Sequence, residues 1–232
     1  MLDDVVREER ALIEMLVSTR LKYVEAEIDG LKRGLEALAH VLEDNVGKPL
    51  LSTVKSAQDS AVSRYANTLK EWSGKTTANV IYDSSVCSFN DNCLFQMVKD
   101  KPNVAIITTT ADGDVFGGFF SVPVTVQNVE FEDPNMFIFS FESHGRCETP
   151  QRFFPNEETK DNAFVEFYQR DSFGRFVLFS GGVEAFSLGN EKSKTFSFNL
   201  SDAFDGIENN TLSGKGNYEK YTCNGLIAIQ LK

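Results

Sequence analysis

The spacing of apolar side chains changes period about a third of the way along the chain. In the first part they recur at Val17, Leu21, Val24, Ile28, Leu31, Leu35, Leu38 and Leu42, in alternating steps of four and three. That alternation keeps one helix face apolar at the heptad period, with Leu21, Ile28, Leu35 and Leu42 at one core position and Val17, Val24, Leu31 and Leu38 at the other. The stripe is narrower than the face of a helix that packs on its own domain. It predicts an α-helical coiled-coil seam that joins copies of this chain into a homo-oligomer through residues 17–42. Glu27 and Lys32 fall at a g position and the following e position, where a parallel neighbour pairs them. Gly34, Ala39 and Val41 on the flanks suit a seam wider than a simple dimer, so trimer, tetramer and a hairpin against the next helix all stay open. The helix is expected to stop at DNVGKP, because Gly47 suits a C-cap and Pro49 has no N–H with which to continue. A second helix is expected over about 50–73, with a weaker stripe of Leu51, Val54, Gln58, Ala61, Tyr65 and Leu69. At ~1.5 Å per residue the first helix reaches roughly 60 Å, too long for a helix half its length to cover, which favours self-association.

From about Thr76 the pattern becomes that of strands. VIYDSS, NVAIITTT, DVFGGFFSVPV, MFIFSF, FVEFYQ, RFVLFSGG, TFSFNL and GLIAIQL are short runs rich in Val, Ile, Phe and Tyr, separated by polar or glycine-containing segments. This predicts a mainly β, antiparallel domain. One helix stands out within it, near 90–99, with Asn90 or Asp91 as cap and Leu94, Phe95 and Val98 toward the sheet. SGKTTAN at 73–79 is the expected linker. It divides a helical oligomerisation segment at 1–74 from a β domain at 76–232.

The glycines in DGDVFGGFFSVPV admit two readings, a loop that wraps a phosphate or the thin part of a buried sheet. A phosphate loop leads from a strand into a helix N-terminus. Here Asp112-Gly113 is a hairpin signal, and Gly117-Gly118 is followed by Phe119, Phe120, Ser121 and Val122, which is more strand. Glycine within a strand marks a bulge or the close approach of another group. The close-approach reading is the one expected.

Charge narrows the partners. The net charge is -11, and residues 76–232 hold 12 basic and 21 acidic side chains. No basic stripe is present to displace counterions from phosphates, so nucleic acid is not an expected partner. No apolar run approaches the ~18 residues of a membrane span, so no transmembrane segment is expected. MLDDVVREER has no basic leader followed by an apolar stretch, so a cytoplasmic location with reduced thiols is expected and the sequons at Asn199 and Asn209 should stay unmodified. The four cysteines, Cys87, Cys93, Cys147 and Cys223, make no CxxC pair, and His40 and His144 lie far apart, so neither a metal site nor a cofactor is expected.

Polar chemistry concentrates in ESHGRCETPQRF, which holds Glu142, His144, Arg146, Cys147, Glu148 and Arg152. A His near a Cys invites a thiol-nucleophile reading, since a base or cation favours the thiolate. Mixed Arg, His and Glu in a loop also suit recognition of a partner, or simply a connection with local ion pairs. Asp112 and Asp114 flank a turn but lack the further oxygen ligands that a calcium loop needs. Ser180-Gly181-Gly182 lacks the Gly-x-Ser-x-Gly elbow of hydrolases.

The succession Ile81-Tyr82-Asp83-Ser84, then Phe89, a capped helix, an apolar strand and DGDVFGGFFS resembles the TLDc domain. MFIFSF (136–141), FVLFSGGVEAFSLGN (176–190) and GLIAIQL (225–231) are similar to that family's later strands. Phe116, Gly117 and Gly118, with Gly181 and Gly182, are the motif positions that carry the likeness, which covers roughly 76–232. The chain departs from the family in its short Gly181-Gly182 run and in Leu226-Ile227-Ala228-Ile229, where many members end in Leu-Glu-Val-Trp. The resemblance implies a two-sheet antiparallel β-sandwich with few peripheral helices, an association with oxidative-stress defence, binding of the vacuolar proton-pumping ATPase, and no agreed catalytic residues. The combined expectation is a non-enzymatic, oligomeric adaptor or regulator that binds a protein partner. The alternative is a thiol-dependent redox enzyme or peroxide scavenger using Cys147.

Overall fold

The computed structural model describes residues 65–87, 89–169, 175–182, 184–189, 195–196 and 199–232. The heptad positions from Val17 to Leu42 lie outside them.

The β-branched and aromatic runs pair with one another in two antiparallel sheets. The larger has six strands in the spatial order β1 (Ala78–Asp83), β12 (Cys223–Leu231), β2 (Val104–Thr110), β3 (Val115–Phe120), β5 (Phe137–Glu142) and β6 (Gln151–Phe153). The smaller runs β4 (Glu130–Glu132), β7 (Ala163–Phe167), β8 (Arg175–Gly181) and β9 (Glu184–Gly189). A short pair, β10 (Thr195–Phe196) with β11 (Lys220–Tyr221), stands apart from both. The two main sheets face each other through rings: Phe116 meets Phe186 edge-on at 5.9 Å, and Phe120 meets Phe167 at 5.7 Å.

Register explains why several strands read as unbroken apolar runs. Ile106, Gly118 and Ile138 lie in one row across β2, β3 and β5, and Ile107, Gly117 and Phe139 in the next. Ile106 and Ile138 belong to the cluster between the sheets, whereas Ile107 and Phe139 belong to a second cluster on the outer face. A strand alternates polar with apolar only when one of its faces meets water. The large sheet is covered on both.

The outer cover is a helix, α1, over residues 65–73. Tyr65 and Leu69 of the expected stripe face the sheet, as does Trp72. Leu69 is fully buried, and Phe141 is stacked with both Tyr65 (4.5 Å) and Trp72 (5.6 Å). The helix stops at Ser73, whose hydroxyl donates to the Leu69 carbonyl, and Gly74 follows in the left-handed region at φ 68°. The expected helix in the β domain is α2 (Asp91–Val98). Asn90 caps it by accepting from the Cys93 amide at 2.8 Å, and Leu94, Phe95 and Val98 are its buried residues.

TFSFNL departs from expectation. Only Thr195–Phe196 is described as strand, and Leu200 begins a helical turn, α3 (Leu200–Ala203). Asn199 is in the left-handed region at φ 49°, and Leu200, which follows it, is fully buried. The apolar spacing of six residues could not distinguish a full strand from a strand that breaks at such a turn.

Candidate functional site

Three loops meet at one end of the large sheet. The first is the β2–β3 turn, where Gly113 sits at φ 90° and its amide donates to the Thr110 carbonyl. This is the hairpin that Asp112-Gly113 signalled. Thr110 Oγ1 accepts from the Asp114 amide at 3.0 Å, which aims the Asp114 side chain inward. The residue is 1% exposed.

The second loop, between β5 and β6, supplies the partners of that carboxylate. His144 at φ 51° and Gly145 at φ 85° are successive left-handed residues. They fold the backbone so that the Arg146 amide donates to the Ser143 carbonyl and the Cys147 amide to Ser143 Oγ. The fold-back brings a guanidinium nitrogen of Arg146 to 2.5 Å from Asp114 Oδ1 and His144 Nδ1 to 2.8 Å from the same oxygen. The third loop, residues 208–216, closes around Arg146. Its Nε donates to the Thr211 carbonyl and the guanidinium also reaches the Leu212 carbonyl, while Gly214 lets the planar group lie against the backbone. Lys215 adds a solvent-side pair with Asp112 at 3.1 Å.

A buried carboxylate without a partner costs several kcal/mol, and a guanidinium is the side chain whose flat fork best satisfies one. Asp114 and Arg146 therefore form a clamp that ties three loops together. His144 contributes on the outside, with a side chain 57% exposed. No hydrogen bond joins His144 to Cys147 among the described residues; the imidazole is held by Asp114. Cys147 is half-buried and packs against the inter-sheet core.

The remaining expected loop residues go elsewhere. Glu142 is exposed at the end of β5. Arg152, on β6, donates to the Trp72 carbonyl and lays its guanidinium over the rings of Phe154 (5.0 Å) and Phe137 (5.7 Å), fastening α1 to the sheet. Asp114 is the residue that sequence reasoning missed as a hub. Beside a turn it reads, with Asp112, as part of an incomplete calcium loop, and only its burial reveals the other role. No group of three or more His, Cys, Asp or Glu is placed to hold a metal among the described residues.

The clamp borders two hollows. A cleft of about 940 Å³ is lined by Tyr65, Phe141, Glu142, His144, Cys147 and Glu148 among others. A smaller one of about 260 Å³ lies between the hairpin turn and residues 213–215.

The motif glycines behave as close-approach positions. A Cβ on Gly117 would lie 1.9 Å from the Ile106 carbonyl oxygen, and one on Gly118 would lie 2.4 Å from the Phe179 ring. Gly181 is pressed against the Ala203 carbonyl, and Gly182, at φ 96°, against Thr159. They thin the sheets so that rings and backbone can meet.

Compared with known families, the sequence model described as TLDc domain matches residues 53–226, about three quarters of the chain. No curated protein matches the chain.

Proposed function

Since the chain belongs to the TLDc domain family, generally non-catalytic and tied to oxidative-stress functions, we propose that it is an oligomeric adaptor whose sandwich binds a protein partner through the loop at Glu142, His144, Arg146 and Cys147, with Arg152 on the adjoining strand β6. The observation that carries this reading is the Asp114–Arg146 clamp. It fixes an exposed loop on a rigid sheet end, and a pre-ordered loop loses less entropy on binding a partner. It also commits the His144 imidazole to a carboxylate, away from the thiol that a cysteine nucleophile would use.

The heptad at residues 17–42 supplies the second half of the proposal. Several sandwich heads on one stalk would bind with avidity, because each further contact becomes intramolecular. The vacuolar proton-pumping ATPase is the partner class to test first, with the cytoplasm as the setting. Full-length chain mixed with the purified soluble sector of that ATPase should co-migrate on size exclusion, and light scattering of the chain alone should give a multiple of 25.9 kDa. A monomer at micromolar concentration removes the avidity, and absence of co-migration removes the pump. Peroxide turnover that depends on Cys147 would replace the adaptor with an enzyme.

A further inference from the structure

The segment ESHGRCETPQRF carries two arginines and two glutamates, and the fold sorts them. Both arginines are spent on the protein itself. Arg146 reaches Asp114 and the carbonyls of Thr211 and Leu212, and Arg152 holds the Trp72 carbonyl and the rings of Phe137 and Phe154. Both glutamates, Glu142 and Glu148, are exposed and line the cleft of about 940 Å³. No Lys or Arg is among the described residues that line it. The β5–β6 loop and the β2–β3 turn form part of the wall, and α1 adds Tyr65 and Thr68. The aromatic part of the lining is Tyr65, half-buried, stacked on Phe141 at 4.5 Å.

A cation is drawn both to the face of an aromatic ring and to carboxylates. A guanidinium suits the combination best, because it lays a flat surface on a ring and offers a fork of donors to a carboxylate. The excess of acidic over basic side chains in residues 76–232, 21 against 12, extends the attraction beyond the cleft. An anionic partner would meet like charge throughout. We propose that the cleft seats an arginine side chain from an extended, basic segment of the partner protein, with its guanidinium facing the Tyr65 ring and the carboxylates of Glu142 and Glu148. This gives the partner of the adaptor reading its chemistry and rests on that reading. Cys147, half-buried and in the same lining, serves as a reporter, since a seated segment covers it.

The test titrates the full-length chain with a fluorescein-labelled peptide, Gly-Arg-Gly-Arg-Gly, read by anisotropy, beside its lysine and glutamate versions. The arginine peptide should bind tightest and the glutamate peptide should not bind. Glu142→Gln combined with Glu148→Gln should weaken binding about tenfold, and Tyr65→Leu about threefold. Glu130→Gln combined with Glu158→Gln, which removes as much charge from exposed positions outside the cleft, should change it by less than about twofold. Saturating arginine peptide should slow alkylation of Cys147 by iodoacetamide and leave Cys87 and Cys93 at their own rates, as read by mass spectrometry. Equal weakening by the two glutamine pairs, an unchanged Cys147 rate, a lysine peptide that binds as tightly, or no binding of the arginine peptide at millimolar concentration would overturn the assignment. A chain that co-migrates with the ATPase sector but ignores the arginine peptide loses this occupant and keeps the adaptor reading. One that seats the peptide without co-migrating keeps the cleft and loses the pump.

Discussion

Arg146 sets its guanidinium 2.5 Å from the carboxylate of Asp114, a residue 1% exposed at the turn between two central strands. Pairs of this kind are weak evidence of net stabilisation but strongly resist the loss of one partner. Arg146→Met should destabilise the domain by about 3–5 kcal/mol, since it strands a buried charge. Asp114→Leu combined with Arg146→Met should be less damaging than the sum of the single changes, because the two residues share one interaction. His144→Ala, which removes only the outer contact, should cost less than about 1 kcal/mol. Urea unfolding of the four proteins checks the order.

Gly118 makes a different demand. Its missing side chain is the space that the Phe179 ring fills from the opposite sheet. Gly118→Ala should destabilise by about 1–3 kcal/mol through overpacking, and adding Phe179→Leu should recover part of the loss. Gly117→Ala should be worse and without a side-chain remedy, because the obstacle is the Ile106 carbonyl. Thermal melts of the two single variants and the double mutant separate the cases.

The single tryptophan of the chain, Trp72, lies on the outer helix, stacked on Phe141 and close to Phe137 and Phe139. A fragment of residues 76–232 would uncover that aromatic face, and large exposed apolar patches drive association. It should aggregate or bind a hydrophobic dye, whereas a fragment of residues 62–232 should stay dispersed. Trp72→Ala should cost about 3–5 kcal/mol. Dye fluorescence and light scattering of the two fragments decide the first point, and denaturant unfolding the second.

Tyr221 is buried, with its hydroxyl donating to the Ser187 carbonyl at 2.9 Å. Burial raises its pKa well above the ordinary value of 10.0, with Cys223 acting in the same direction, and Tyr82 shifts the same way. In the unfolded chain both would ionise near that ordinary value while the folded protein keeps its protons. The neutral form therefore contributes stability that is present below pH ~10 and is lost above it, by up to about 1.4 kcal/mol per pH unit for each tyrosine. Unfolding free energies measured from pH 8 to 11 should fall in the last unit, and Tyr221→Phe should flatten the fall.

The run of apolar and β-branched residues after Thr76, the hairpin at Asp112-Gly113 and the cap at Asn90 were legible because each depends on neighbours within a few positions. Backbone preference and side-chain alternation act locally, so the sequence by itself determined a mainly antiparallel β domain, most of its strands and the close-packing role of Gly117 and Gly118. It did not announce that α1 covers the outer face of the large sheet, although Tyr65 and Leu69 were on the expected stripe, because an amphipathic face does not name the surface that it meets. Asp114 as the hub of a three-loop clamp came only from the tertiary structure. An Asp in a turn reads as solvated until residues 30 or more positions away shut out the water. Burial and charge pairing are properties of segments brought together in space, and neither is encoded at the position that experiences it.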